Sequence, residues 1–348
     1  MRAMEPNVFL PFVSSLLSFV FALFLLDQWR ERRKPYQLIW TLGMLMYGVS
    51  AGTEFLGGAL GWSEPLYRAW YLTGAVWVAG WLGLGTMYLL AKTRFGYGAA
   101  LSVILAGLFT FLSWRKNDYP DSGISPYLYL LIAVVAAAAI GIETYRAKGS
   151  WANLAGGLIV AGTLVSIPMV VLAPLADPGY ALDPATGIPS GELFPGYVRL
   201  LTPFFNITGG FALVLGALYS AYVFMPKRRV IRYDLRRDRG VGRYLVNLAI
   251  APVAIGVNLV ASIPGSLGAL FRGELNSRVP STMLIALGGF FPSLTGSLAR
   301  FGMTEAFFLG ELLGVVFLFA GFLVSIEVFR EIRIPFTHVV LHTRRGAA

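Results

Sequence analysis

Long apolar runs, separated by short charged connections, recur from one end of this chain to the other. Seven of them read as helices long enough to cross a bilayer, which takes about 20 apolar residues. They lie near residues 8–26, 36–57, 66–90, 97–114, 126–145, 152–174 and 196–224. The stretch 244–271, "YLVNLAIAPVAIGVNLVASIPGSLGALF", is as apolar but contains Pro252 and Pro264. Proline removes a helical hydrogen bond and clashes with the preceding turn, so the pattern predicts a broken or re-entrant element here. Two further spans follow near 281–299 and 304–328. The expected fold is all-α and polytopic. It divides into a seven-helix bundle over 1–225, a basic connector over 226–243, membrane segments over 244–330 and a basic tail over 331–348.

Charge orients this pattern. Arg30, Arg32, Arg33 and Lys34 follow the first run, Lys92 and Arg94 the third, and Arg146 and Lys148 the fifth. Lys227, Arg228, Arg229, Arg232, Arg236, Arg237 and Arg239 follow the seventh. The opposite connections hold mainly Arg68, Arg115 and Lys116. Cytoplasmic connections carry the excess of Lys and Arg. The N-terminus is therefore expected outside a bacterial-type inner membrane and the connector inside. The tail is cytoplasmic if 244–271 keeps both ends on one side, as the charge rule favours, and outside if it crosses once. The first run precedes "DQWRERRK" with no small-residue cleavage site, so it reads as a retained span. The connector "KRRVIRYDLRRDRG" is expected along the inner surface, with Arg228, Arg229, Arg236 and Arg237 at anionic headgroups, each basic residue worth about 1 kcal/mol.

Composition agrees with the pattern: 56% of residues are hydrophobic, 13% are charged and the mean hydropathy is +0.67. The net charge of +10 sits in the connections, which answers to topology rather than to nucleic acid. There is no cysteine, which excludes disulfides, Cys-ligated zinc, iron–sulfur clusters and Cys nucleophiles. The histidines are His338 and His342, both in the tail, so a bis-His haem inside the bundle is excluded. Their i, i+4 spacing supplies two ligands at most, too few for a closed metal site. Lys34, Lys92, Lys116, Lys148 and Lys227 all lie in connections. A retinal Schiff base needs a lysine within a span. No Walker A, H-E-x-x-H or G-x-S-x-G motif occurs in a plausible context. No cofactor, metal or catalytic set is expected.

Ionisable residues inside spans are costly, and each is a functional candidate. Glu54, Arg68 and Arg199 fall at similar depth near the outer ends of spans two, three and seven, with Tyr71 one turn below Arg68. They form either an outer polar pocket or a Glu54–Arg68 ion pair closing the hairpin. Glu143 with Arg146, and Glu327 with Arg330, have the spacing of helix-surface pairs. Glu311, in "FFLGELLGVVFLF", lies within a span beside Gly310-x-x-x-Gly314, a pattern that lets helices approach closely. Asn206, Asn247 and Asn258 are candidate hydrogen-bond partners for it. Its roles are a proton or cation site, or a buried polar contact.

In the third span the tryptophans form a stripe. With Trp70 at zero and 100° per residue, Trp77 falls at about 340° and Trp81 at about 20°. Ala75, Ala79, Gly83 and Thr86 lie opposite. Trp77 at mid-depth needs a partner for its indole N–H, which lipid tails lack. The stripe therefore faces a ligand cavity or ordinary packing before it faces lipid.

The Trp40…Glu54 second span, "GWSEPLYRAWYLTGAVWVAGW" entering the third, and Tyr71-Leu72-x-Gly74 are similar to features of the seven-helix membrane sensor region that precedes some bacterial histidine kinases. The resemblance covers about two-thirds of the chain, residues 1–225, and ends after residue 240, where no kinase module or phospho-acceptor motif follows. It implies a ligand-sensing or lipid-facing bundle.

The functional expectation is a non-enzymatic inner-membrane protein. Its sensor-like bundle binds a small apolar or amphipathic ligand through Glu54, Arg68, Tyr71, Trp77, Trp81 and Arg199, or it serves as a subunit of a larger membrane complex. The alternative is a secondary transporter using 244–271 and Glu311. A lipid-modifying enzyme is disfavoured by the lack of paired acid–base or metal residues. Partners are membrane lipids, a small molecule and partner subunits, not nucleic acid. The topology has a direct check: cysteines introduced at Ser63 and Ser190 are expected to react with an impermeant thiol reagent in intact cells. Labelling only after the cells are opened refutes it.

Overall fold

The computed structural model describes residues 6–119, 121–146, 149–176, 191–235, 240–299, 304–325, 331–333, 335–337 and 340–342, with backbone alone at 296–299, 304–305, 331–333 and 340–342. Among these are ten long helices. They are α1 (Pro6–Arg32), α2 (Pro35–Leu60), α3 (Glu64–Leu89), α4 (Gly96–Asn117) and α5 (Ser125–Arg146). There follow α6 (Trp151–Leu172), α7 (Gly196–Phe224, with a turn at Leu200), α8 (Val241–Phe271), α9 (Arg278–Ala299) and α10 (Thr304–Val324). Eight are long and apolar enough to cross a membrane. The tail adds a short antiparallel ladder, β1 (Glu331–Arg333) with β2 (Val340–His342), pairing Ile332 with Leu341. The all-α expectation holds, with this ladder as the one addition among the described residues. His342 lies in β2 and His338 outside the described residues.

Helices α1 to α7 run alternately up and down; the upper end is where α1 begins and the lower end where it finishes. Their tight turns leave little choice: Arg33–Lys34 joins α1 to α2, and Gly61–Ser63 joins α2 to α3. Two cores result. Tyr67, Tyr71, Val76, Met87, Val103, Trp151, Ile159 and Phe204 pack between α3, α4, α6 and α7. Phe21, Leu25, Met44, Tyr47, Leu82, Val315 and Leu318 close a second core in which α10 covers α1 and α2. Phe21 packs against Phe319 and Phe322 with ring centroids at 4.8 and 5.2 Å.

Small residues set the closest approaches. A Cβ on Gly83 of α3 would fall 2.3 Å from the Gly209 carbonyl oxygen of α7, and one on Gly209 would fall 1.9 Å from that of Ala79. The small-residue face read from the sequence therefore meets backbone. In the α9–α10 hairpin, a Cβ on Gly310 would meet Thr295 Oγ1 at 1.8 Å and one on Gly314 would meet Pro292 Cγ at 2.5 Å. Lower down, Ser281 Oγ donates to the Gly321 carbonyl at 2.5 Å. The close contact expected of Gly310-x-x-x-Gly314 is made within this hairpin.

Residues 241–271 are not broken. They form one helix through Pro252 and Pro264, both on its exposed side. The contacts of α8 place it across the lower end of the bundle. Near its start, the Tyr244 hydroxyl accepts from Arg94 at 3.0 Å and lies 2.5 Å from that of Tyr97, while its ring packs against Tyr145. Those residues belong to the α3–α4 turn, the start of α4 and the end of α5. Near its middle, Ile255 and Leu259 pack with Tyr222 and Met225 at the end of α7 and with Val279 at the start of α9. A helix crossing the bundle from Tyr244 would have risen about 20 Å by Asn258. Asn258 instead meets Tyr222, in the last turn of α7. The tail returns to the same end, where the Phe336 N–H donates to Asp27 Oδ1 at 3.1 Å and Arg30 lies over the Phe336 ring.

Gly209→Ala is expected to destabilise the protein by about 1–3 kcal/mol, because the methyl meets backbone that cannot move aside. Gly210→Ala, with nothing within 4 Å of its Cβ, is expected to be neutral or mildly stabilising. Thermal unfolding of the two variants in detergent reads the difference.

Candidate functional site

Three side chains from three helices arrive at one depth. Glu54 lies six residues before the end of α2, Trp70 six residues after the start of α3, and Glu311 seven after the start of α10. At 1.5 Å per residue all three sit roughly 10 Å below the upper end. The Trp70 indole N–H donates to Glu54 Oε1 at 2.7 Å. Glu311 approaches the same face of α2 from α10, its Oε2 buried like that of Glu54. From two turns below Glu54, the Tyr47 hydroxyl donates to the Glu311 backbone carbonyl at 2.8 Å. Glu54 is 2% exposed.

The donors do not cover the oxygens. Glu54 Oε2 and Glu311 Oε2 are buried with no hydrogen-bond donor among the described residues. Neither carboxyl takes part in a described ion pair. Two ionised carboxylates only accept hydrogen bonds. At ~4 Å and an effective dielectric of ~20 they repel by about 4 kcal/mol. One proton shared between them turns an acceptor into a donor and removes one charge, and a bound cation would screen both. The pair could therefore hold a shared proton or a small cation.

The local fold of α3 brings Trp70 to Glu54. Tyr71–Trp77 is wound as π-helix. A π-turn takes up one more residue than an α-turn, which rotates everything beyond it by roughly 100°. The single tryptophan stripe expected from a uniform helix is thus split. Trp70 faces Glu54 on α2. Beyond the π segment, the Trp77 N–H donates to Ser166 Oγ at 2.8 Å and the Trp81 N–H to Thr163 Oγ1 at 3.2 Å, both on α6. Both indoles are half-buried and packed against the main core.

The other expected site residues part company from Glu54. Arg68 pairs with Glu64 at 2.6 Å and donates to the Val170 carbonyl at 2.5 Å. Arg199 lies 3.7 Å from Glu192 and stacks over the Tyr119 ring at 4.0 Å. The Tyr71 hydroxyl accepts from Thr202 Oγ1 at 3.0 Å. Arg68, Tyr71 and Arg199 do gather at the upper end, but Phe194 fills the space between them. Its ring centroid is 4.4 Å from that of Tyr71 and 5.3 Å from that of Tyr67, and Arg68 lies over it at 5.8 Å. Asn258 and Asn247 bond to the connector rather than to Glu311. Arg228 and Arg229 lie on that connector. Arg236, Arg237, Glu327 and Arg330 fall outside the described residues. The Glu143–Arg146 pair forms as expected, at 2.7 Å.

No protein-family model, curated protein or solved structure matches this chain. The geometry alone identifies the site. Tyr47 and Trp70 were not among the expected site residues, yet a signal for the pairing exists in the sequence. Glu54 and Glu311 are the carboxylates well inside apolar runs, and the arginines nearest in depth, Arg68 and Arg199, pair with Glu64 and Glu192 instead. Intramembrane ionisable groups seek one another.

Trp70→Phe deprives Glu54 Oε1 of its donor. It is expected to cost about 1–3 kcal/mol in the wild-type background and distinctly less beside Glu54→Leu. Thermal midpoints around this double-mutant cycle measure the coupling.

Proposed function

We propose that this chain is a non-enzymatic, multi-pass membrane protein that responds to protons, with the Glu54–Glu311 pair as its switch. The reading rests on one observation: the buried Glu54 and the half-buried Glu311, each with a buried Oε2 that has no described donor, stand against each other on α2 and α10 with no described cation paired to either. The membrane setting is supported by the outer surface. Leu128, Leu131, Val135, Leu164, Val165 and Val171 on α5 and α6 are all exposed, an apolar belt wider than soluble monomers carry. In this reading α1 to α7, α9 and α10 cross an inner membrane, the less apolar α2 and α9 through their hairpins with α1 and α10, while α8, apolar and long enough to cross, is held at the lower end by its contacts. The N-terminus is extracytoplasmic, and α8, the connector and the tail are cytoplasmic, as the charge of the lower end requires.

The switch works by like-charge repulsion. With one proton between them the two carboxyls bond, and α10 stays closed on α2. As pH rises the proton leaves, both charges face each other, and the contact loosens. Closure is therefore present at low pH and lost as pH increases. This keeps the sensor-like bundle of the sequence reading and assigns it a proton in place of an apolar ligand.

Spin labels at introduced cysteines Leu60→Cys and Leu309→Cys report the α2–α10 separation. The wild-type distance distribution is expected to widen from acid to alkaline pH. Glu311→Gln supplies a permanent N–H donor to Glu54 and is expected to stay narrow throughout. A pH-independent wild type, or a pH response retained in Glu54→Gln/Glu311→Gln, refutes the switch.

A further inference from the structure

The lower end carries a second feature that the carboxyl pair does not involve. The connector after α7 folds back along α8, and the polar residues of α8 hold its backbone. Ser262 Oγ accepts from the Arg228 N–H at 2.9 Å. Asn258 Oδ1 accepts from Val230 and Ile231 N–H at 2.7 and 2.9 Å, and its Nδ2 donates back to the Ile231 carbonyl at 2.8 Å. Asn247 Oδ1 accepts from the Asp234 N–H at 2.9 Å. Asn258 is fully buried, so this register is fixed. Between the connector, α8 and Tyr222 lies a cleft of about 780 Å³. Among the described residues, Lys227, Arg229 and Arg232 line it, with Tyr233 and Asp234 beside them. Burial, then the nearby Tyr222 and Tyr219, push the Tyr233 phenol up to about 12. Tyr233 therefore keeps its proton and can donate at neutral pH.

The other side of α8 is apolar and uncovered. Val246, Ile250, Val253, Val257, Val260 and Leu267 recur at helical spacing, all exposed. Helix and connector together thus make one amphipathic hairpin, apolar on one side and cationic on the other. Elements of this kind lie in a membrane interface and read anionic lipid. A soluble anion would account for the cations but not for the apolar strip beside them.

We propose that the cleft binds the phosphate of an anionic lipid headgroup, with Lys227, Arg229 and Arg232 as its cationic ligands and the apolar strip of α8 seated at the acyl boundary. Guanidinium groups match phosphate oxygens two at a time, while lysine acts as a point charge. The inference is independent of the proton switch, and its test reads lipid rather than pH.

Full-length protein in neutral detergent is titrated with phosphatidylglycerol and, separately, with phosphatidylcholine, and bound lipid is counted by native mass spectrometry. Wild type is expected to retain phosphatidylglycerol in preference. Lys227→Gln/Arg229→Gln/Arg232→Gln is expected to bind it about a hundredfold more weakly, from the contribution of three basic residues. Arg30→Gln/Arg32→Gln/Arg33→Gln removes the same charge elsewhere at the lower end and is expected to leave retention unchanged. An unaltered thermal midpoint shows that the cleft variant is folded. Equal retention of the two lipids, or equal losses in the two variants, overturns the site. Inorganic phosphate binding as tightly as phosphatidylglycerol overturns the lipid as the source of the phosphate.

Discussion

A carboxyl group taken out of water must have its oxygens met by donors, a proton or a cation, because the cost of leaving it bare is several kcal/mol. Glu54 imposes that demand on everything around it. Donors meet it only in part: an indole from α3 reaches Oε1, and Oε2 is left without a donor among the described residues where Glu311 of α10 comes alongside. Glu311 is in turn positioned by the Tyr47 hydroxyl at its own carbonyl. The last helix of the chain is thereby keyed to the second. The aromatic packing of Phe21 on Phe319 and Phe322 adds contact area to that key without specifying its register as tightly.

That the chain is built of long apolar helices was legible because apolar length is a direct consequence of what a helix must bury. The close contact of the Gly310 and Gly314 face was legible for a similar reason: small residues leave room for backbone. The site was less so. A helical wheel assumes one uniform period, and Tyr71–Trp77 departs from it. Residues that share a face on paper then point to different neighbours, Trp70 to α2 and Trp77 with Trp81 to α6. No composition rule marks a π segment, since it is stabilised by what the displaced side chains reach. Here those are a carboxylate on one side and two hydroxyls on the other.

The prolines of α8 show a different limit. Pro252 and Pro264 each forfeit one backbone bond, which in lipid would argue for a break. Both sit on the exposed side, and the opposite side carries Asn247, Asn258 and Ser262 bonded to the connector. The helix is therefore held along its length by a partner strand of irregular backbone. Which pairs of segments partner in this way is decided by tertiary contacts between Tyr244 and Arg94, or Leu259 and Met225, that are far apart in sequence. The apolar content of 244–271 was readable; its lying across the bundle end rather than entering it was not.

The two features assigned here occupy opposite ends of the molecule, and the α9–α10 hairpin touches both. At the upper end α10 presents Glu311 to Glu54. At the lower end α9 begins with Arg278 over the Phe224 ring at 4.7 Å and Val279 packed beside Leu259 of α8. Between these ends the hairpin is meshed without a flexible joint, from Gly310 against Thr295 through Gly314 against Pro292 to Ser281 bonded at Gly321. Packed cores of this kind shift as bodies rather than deform continuously. In the proposed switch, a loosening of the Glu54–Glu311 contact would move this hairpin as one body. On α8 the residues nearest that hairpin are Ile255 and Leu259, beside the Asn258 that holds the connector in register.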